Sequence, residues 1–223
     1  MEQVLTVVLV VFACVAFASV LEGLFHQFIL HTPQKRLLGG VLERSYVAHA
    51  VEHHPAYRGE EYHRPAPEEE APISLGPFMW PATMIVTSPI TIGVWLWLGP
   101  AAGLAVPITF TLYYVMYEFL HWHMHFPRPD GKPRWYHAFP PTLQLFRWFD
   151  KRHFIHHESD DRNFNVVIPI YDIVTGRYTT REDVHPWAVR VRKAKAMRKS
   201  AEIRAARAAA MVEEKEPETV GKN

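Results

Sequence analysis

The chain alternates long apolar runs with polar stretches rich in histidine. Residues 4–21 are almost purely apolar. At about 1.5 Å per residue a helix over them extends roughly 27 Å, close to the hydrocarbon thickness of a bilayer. The helical pattern continues through Glu22 to Leu30, above that core, and Thr32-Pro33 predicts its end, because a residue before proline avoids the α region. Residues 78–98 make a second run, about 30 Å long as a helix. Gly99-Pro100 is a turn signal, and residues 101–120 return as a third run. That connection is too short to hold a domain, so the second and third runs predict a helical hairpin. Tyr113, Tyr114 and Tyr117 near the end of the third run fit an interfacial aromatic belt. A cleaved signal peptide fits the first run poorly, since Met1-Glu2-Gln3 has no basic residue.

Charge strengthens the membrane reading. The net charge of +1 hides an asymmetry: all 24 Lys and Arg lie at or beyond Lys35, and none lies between Pro65 and Pro127. Both gaps coincide with the apolar runs. Segment 31–77 carries five basic residues and everything after 127 carries the rest. The positive-inside rule then places 31–77 and 126–223 in the cytosol and the N-terminus outside. The expected fold class is an all-α integral membrane protein of about three transmembrane helices with a cytosolic, helical, histidine-rich cap, in a bacterial inner membrane or its equivalent. Residues 1–185 read as the membrane-embedded domain, with 65–72 as a polar linker into the second span. Residues 186–212 read as a basic helix, with eight basic residues from Arg190 to Arg207, either lying on anionic headgroups or solvated. Residues 213–223 read as a disordered tail. The one cysteine, Cys14, lies in the first run, so there is no disulfide within the chain and no cysteine-based zinc site.

Candidate chemistry comes from histidine. Of 14 histidines, ten fall into four clusters: His26/His31, His49/His53/His54, His121/His125 and His153/His156/His157. Imidazole is the commonest metal ligand and suits iron, zinc, copper and nickel. One ion takes about four ligands, so ten clustered histidines suit two. Helical residues three or four apart share a face, which pairs His49 with His53, His121 with His125, and His153 with His156 and His157. His26 and His31 are five apart, about 140° around an ideal helix, and serve one site only if the helix distorts near His31. His26 and His121 fall at similar heights just past the spans, and all four clusters fall on one predicted side. His123 points to another helix face. His63, His137 and His185 stand alone and read as ordinary surface residues. Glu118 and His121 form one ExxH pair, where soluble di-iron carboxylate bundles need two. Glu118 therefore reads as a partner orienting an imidazole N–H, as do Asp150, Glu22, Glu52 and Glu158. Trp80, Trp95 and Trp97 either shape a groove between the spans or anchor them at the interface. Trp135, Phe139, Phe146, Trp148 and Phe149 either close that groove or pack in the core.

These boxes, with EGLFHQFILH at the end of a span and HHESDDRNFNVVIPIYDIVTG after the last box, resemble the membrane fatty acid hydroxylase and sterol desaturase superfamily. The resemblance covers roughly residues 15–180. Its ordered pattern HX4H, HX2-3HH, HX3H, HX2HH maps onto the ten clustered histidines, and the family's Trp-Asp becomes Tyr171-Asp172 here. The layout is closest to fatty acid 2-hydroxylases, whose second box is usually HX2HH where this chain has HX3HH. The resemblance implies a di-iron centre, with zinc as a substitute, held by His26, His31, His49, His53, His54, His121, His125, His153, His156 and His157. Glu118, His123 and Asp150 are candidates for the surrounding shell. It also implies O2-dependent hydroxylation or dehydrogenation of a lipid C–H bond. No dinucleotide fingerprint or cysteine cluster occurs in the chain, so the two electrons come from a separate electron-transfer protein; nucleic acid is not an expected partner. The lipid enters sideways beneath the histidine cap. Carotenoid- or sterol-type hydroxylation and desaturation use the same boxes. A metal carrier or sensor, and a zinc-stabilised structural protein, are the readings from other classes.

Overall fold

The computed structural model describes residues 1–33, 40–59, 62, 75, 78–125 and 140–180. The chain divides into two units, Met1–Thr180 and Arg181–Asn223. The second, with the expected basic helix and tail, lies outside the described residues, as do the 65–72 linker, Trp135, Phe139, His63, His137 and His185. The described residues contain helices and no strand.

Three helices are long and apolar enough to cross a membrane. Helix α1 (Glu2–Phe25) runs on without a break into a π-helical turn, His26–Leu30. A short α2 (Val41–Tyr46) leads into a second π-helical turn, Val47–His53, followed by α3 (His54–Ala56). Helices α4 (Met79–Leu98) and α5 (Pro100–His125) are the expected hairpin. Helix α6 (Pro140–Glu158) carries the last histidine cluster, and α7 (Ile170–Val174) is a single short turn.

Small residues let the three long helices approach. Cys14 and Ala18 of α1 meet Ala102, Ala105, Val106 and Phe110 of α5 in one buried cluster, as membrane helices commonly pack. In the hairpin, a methyl group on Gly103 would strike the Trp95 backbone, with its Cα at 2.8 Å. Gly99 turns the chain at φ 90°, a left-handed conformation natural to glycine. Pro89 stands inside α4 and removes the hydrogen bond to the carbonyl four residues earlier. The Ser88 hydroxyl donates to that carbonyl, on Ile85, at 2.7 Å, the repair expected where no water reaches the backbone.

The segment after α6 is clasped to the end of α1. Glu22 accepts hydrogen bonds from the Val166 amide (2.6 Å), the Val167 amide (3.3 Å), the Asn165 side chain (3.1 Å) and the Tyr113 hydroxyl (2.6 Å). Ser19 donates to the Ile168 carbonyl at 2.5 Å and accepts from the Ile170 amide at 3.2 Å. Gly23 lies so close to the Tyr171 ring that an added methyl would collide with it.

Candidate metal centre

Ten buried or half-buried imidazoles meet where α1 and α5 end, and they sort into two groups of five. His26, His31, His49, His54 and His156 form the first group; His53, His121, His125, His153 and His157 form the second. Within each group one ring nitrogen from each histidine, the candidate donor, lies within 4.8 Å of the others. Bonds of about 2.1 Å to one cation would put neighbouring donors about 3.0–3.4 Å apart and opposite donors about 4.2 Å apart. The observed Nε2 pairs fit the shorter spacing: His26–His49 at 2.9 Å, His31–His156 at 3.1 Å, His49–His54 at 3.2 Å, His125–His153 at 2.9 Å and His153–His157 at 3.2 Å.

Backbone geometry decides which histidines share a group. In a π turn, residue i+5 bonds back to residue i and stacks above it. The His31 amide donates to the His26 carbonyl at 3.2 Å, and the His54 amide donates to the His49 carbonyl. Both five-residue pairs therefore enter the first group. The four-residue pairs His121/His125 and His153/His157, on regular α-helix, enter the second. The simple spacing rule paired His49 with His53; the π turn pairs it with His54 and sends His53 to the second group. Each His-His dipeptide straddles the centre, His53 and His157 on one side, His54 and His156 on the other. The His54 and His157 rings stack across the divide, 4.2 Å apart and 8° from parallel.

Tautomers follow from what the other ring nitrogen faces. The Nδ1–H of His26 donates to the Phe164 carbonyl (2.5 Å), that of His156 to the Arg162 carbonyl (2.7 Å), that of His125 to the Tyr62 carbonyl (3.3 Å) and that of His54 to the Asp160 carboxylate (3.2 Å). Carbonyl and carboxylate oxygens only accept, so these Nδ1 atoms carry the proton and each Nε2 presents a bare lone pair. His49 Nε2 faces the bare lone pairs of both His26 and His54, 2.9 and 3.2 Å away; one ring proton can serve only one of them, whereas a cation among the three satisfies all. His53 adds a second sign: both of its ring nitrogens are buried with no hydrogen-bond partner, which costs about 1–3 kcal/mol per group unless a ligand satisfies them. The donor set thus fits metal ions, and imidazole suits iron and zinc alike.

Burial also keeps the rings unprotonated. It pushes His49, His53, His54, His153, His156 and His157 well below their ordinary 6.5, with neighbouring imidazoles adding to the effect. Burial brings His31 down to about 4, against an opposing pull from Asp160. Metal binds the neutral ring, so the centre is ready for ions at neutral pH. Tyr57 and Tyr62, both buried, lie against His125 at 4.7 and 4.9 Å between ring centres and help wall off the second group.

The three surrounding candidates are placed as follows. Glu118 accepts from the Leu75 amide at 3.0 Å. His123 belongs to neither group and donates from Nδ1 to the Phe119 carbonyl at 2.6 Å. Asp150 offers its backbone carbonyl to the Tyr62 hydroxyl at 3.3 Å, and Tyr62 packs on His125. The more extensive support comes from residues that spacing rules do not single out. Buried Asp172 accepts from the Phe164 and Asn165 amides at 2.9 Å each, fixing the stretch that carries the Phe164 carbonyl. Arg152, 1% exposed, donates to the Asn165 and Val167 carbonyls and lies over the Trp148 ring. The available signals were a lone Glu22 one turn before His26 and the dense polar run after the last box.

A cavity of about 320 Å³ opens between α1, α4 and α5 and is lined mainly by apolar side chains, among them Ala18, Leu21, Ala82, Val86 and Phe110. His26 reaches its wall, and Tyr117, which also lines it, lies against His121 with ring centres 5.5 Å apart and planes tilted by 31°. Of the two readings for Trp80, Trp95 and Trp97, lining this groove or anchoring at the interface, the first does not hold: none of the three lines the cavity. Trp95 packs on Gly103, Trp80 donates to the Thr111 hydroxyl at 3.2 Å, and Trp97 is 88% exposed. Phe146 and Phe149 pack on the cluster of Tyr62, Tyr117, Leu120 and Met124 beside the second histidine group. No protein-family model, curated protein or solved structure matches this chain.

Proposed function

We propose that this chain is a membrane-embedded di-iron oxygenase of the fatty acid hydroxylase and sterol desaturase superfamily, and that it hydroxylates a C–H bond of a lipid. The observation that carries the proposal is a juxtaposition: two groups of five imidazoles sit beside an apolar cavity whose wall includes His26. Bound iron would supply the activation of O2, chemistry that protein side chains alone do not perform. The chain's own part is to hold the ions, present one face of the first group to the cavity, and keep water away from the second with Tyr57, Tyr62 and Tyr117. The overall reaction consumes one O2, two electrons and two protons, placing one oxygen atom in the product and the other in water. The electrons come from a separate carrier at the cytosolic side, where the positive-inside pattern puts the histidine groups. Transport reads less well, because an ion path would need donors midway along the spans, whereas these gather at the helix ends.

Untargeted lipid mass spectrometry of an expressing host grown under isotope-labelled O2 tests the proposal. The expected result is a new lipid bearing one labelled oxygen, absent with His156→Ala. Ala82→Phe, which narrows the cavity and touches no histidine, should reduce that product several-fold while metal content stays unchanged. A lipid lacking two hydrogens and carrying no label would make the chain a desaturase instead. An unchanged lipidome, with iron loaded and a competent reductant present, would overturn the proposal.

A further inference from the structure

The two histidine groups are alike in number and unlike in support. One short loop, residues 159–165, wraps the first group and supplies three hydrogen-bond acceptors from alternate residues. The Asp160 carboxylate holds His54, the Arg162 carbonyl holds His156 and the Phe164 carbonyl holds His26. The loop is itself pinned. Asp172 holds the Phe164 amide, Asn163 sits at φ 51° with its side chain bonded to the Arg152 and Thr179 carbonyls, and Arg58 bridges Asp160 and the His157 carbonyl. In the second group, His125 donates to the Tyr62 carbonyl. The Nδ1 atoms of His53, His153 and His157 are buried without a hydrogen-bond partner.

Partners on the far ring nitrogen fix a ligand's orientation and raise its basicity, and losing one typically weakens metal binding about 10- to 100-fold. We infer that the two sites are inequivalent: the group around His26 takes the first ion and holds it more tightly, and Asp160 is a positioning residue for it. This rests on the metal-centre reading alone and is independent of any reaction. Asp160 suits the role because it carries the one carboxylate recorded on a ligating imidazole among the described residues, and it is tied to Arg58 at 3.0 Å.

The test uses the full chain in detergent, stripped with a chelator and titrated with Co2+ under nitrogen, with the Co2+ visible spectrum as readout. Wild type should fill in two steps separated tenfold or more. His153→Gln should abolish the weak step and keep the tight one. Asp160→Ala should weaken the tight step about 10- to 100-fold, and Asp160→Asn, which keeps an acceptor oxygen, should recover most of that loss. Anomalous diffraction from wild type carrying one equivalent of Co2+ needs no variant and should place the ion among His26, His31, His49, His54 and His156. A single step for both ions, first occupancy in the other group, or a tight step indifferent to Asp160→Ala would each overturn the inference.

Discussion

The half-buried His31 sets how this centre responds to acid. Burial lowers it from 6.5 to about 4, and the same cause acts in the same direction on His49, His53, His54, His153, His156 and His157. Between the folded and unfolded values the unfolded chain binds more protons, so stability rises with pH across that interval. The metal-free protein should therefore lose stability as pH falls from about 6.5 toward 4, and should change little above that window. Thermal unfolding of chelator-treated protein at a series of pH values checks this; a midpoint flat through the window would contradict it. Bound metal should move the loss to lower pH, because a coordinated ring has no lone pair left for a proton.

At the scale of elements, the three apolar helices were legible from hydropathy and charge, because bilayer thickness leaves little choice of length. Candidate ligand residues were legible from spacing. Which ligand joins which group was not, since that depends on two π turns, and periodicity rules assume regular helix. The second box shows why this matters. Its extra residue relative to HX2HH is taken up by the π turn Val47–His53, so that HX3HH here displays three rings much as HX2HH does on regular α6. In both boxes the outer histidines share one group and the middle one joins the other. Deleting Val51, which is 50% exposed, should therefore turn the π turn into plain α-helix and leave metal stoichiometry intact. Deleting Ile155, which is fully buried on α6, should cost metal in both groups. Metal analysis of the two purified variants decides; loss of metal on deleting Val51 would contradict this account of the turn.

At the scale of the molecule, ten ring-bearing side chains from four stretches of chain meet at one end of three helices. Four of those rings, His26, His54, His125 and His156, turn a bare Nε2 inward, and a shared ion would tie their stretches together, so metal should act as a fastener. A ligand held at about a hundred times its dissociation constant stabilises the folded state by about 2.7 kcal/mol. Chelation should therefore lower the unfolding temperature, and adding back iron or zinc should restore it, as seen by scanning calorimetry; an unchanged midpoint would count against metal binding. The uniformity of the donors has a last consequence. No thiolate or carboxylate ligand appears in either group to favour one transition metal, and affinities for nitrogen donors rise from iron through nickel to copper irrespective of biological need. Selection must then come from supply. The element recovered with the purified protein will follow the growth medium, and cells raised on scarce iron should yield intact, correctly folded molecules that carry another metal in its place.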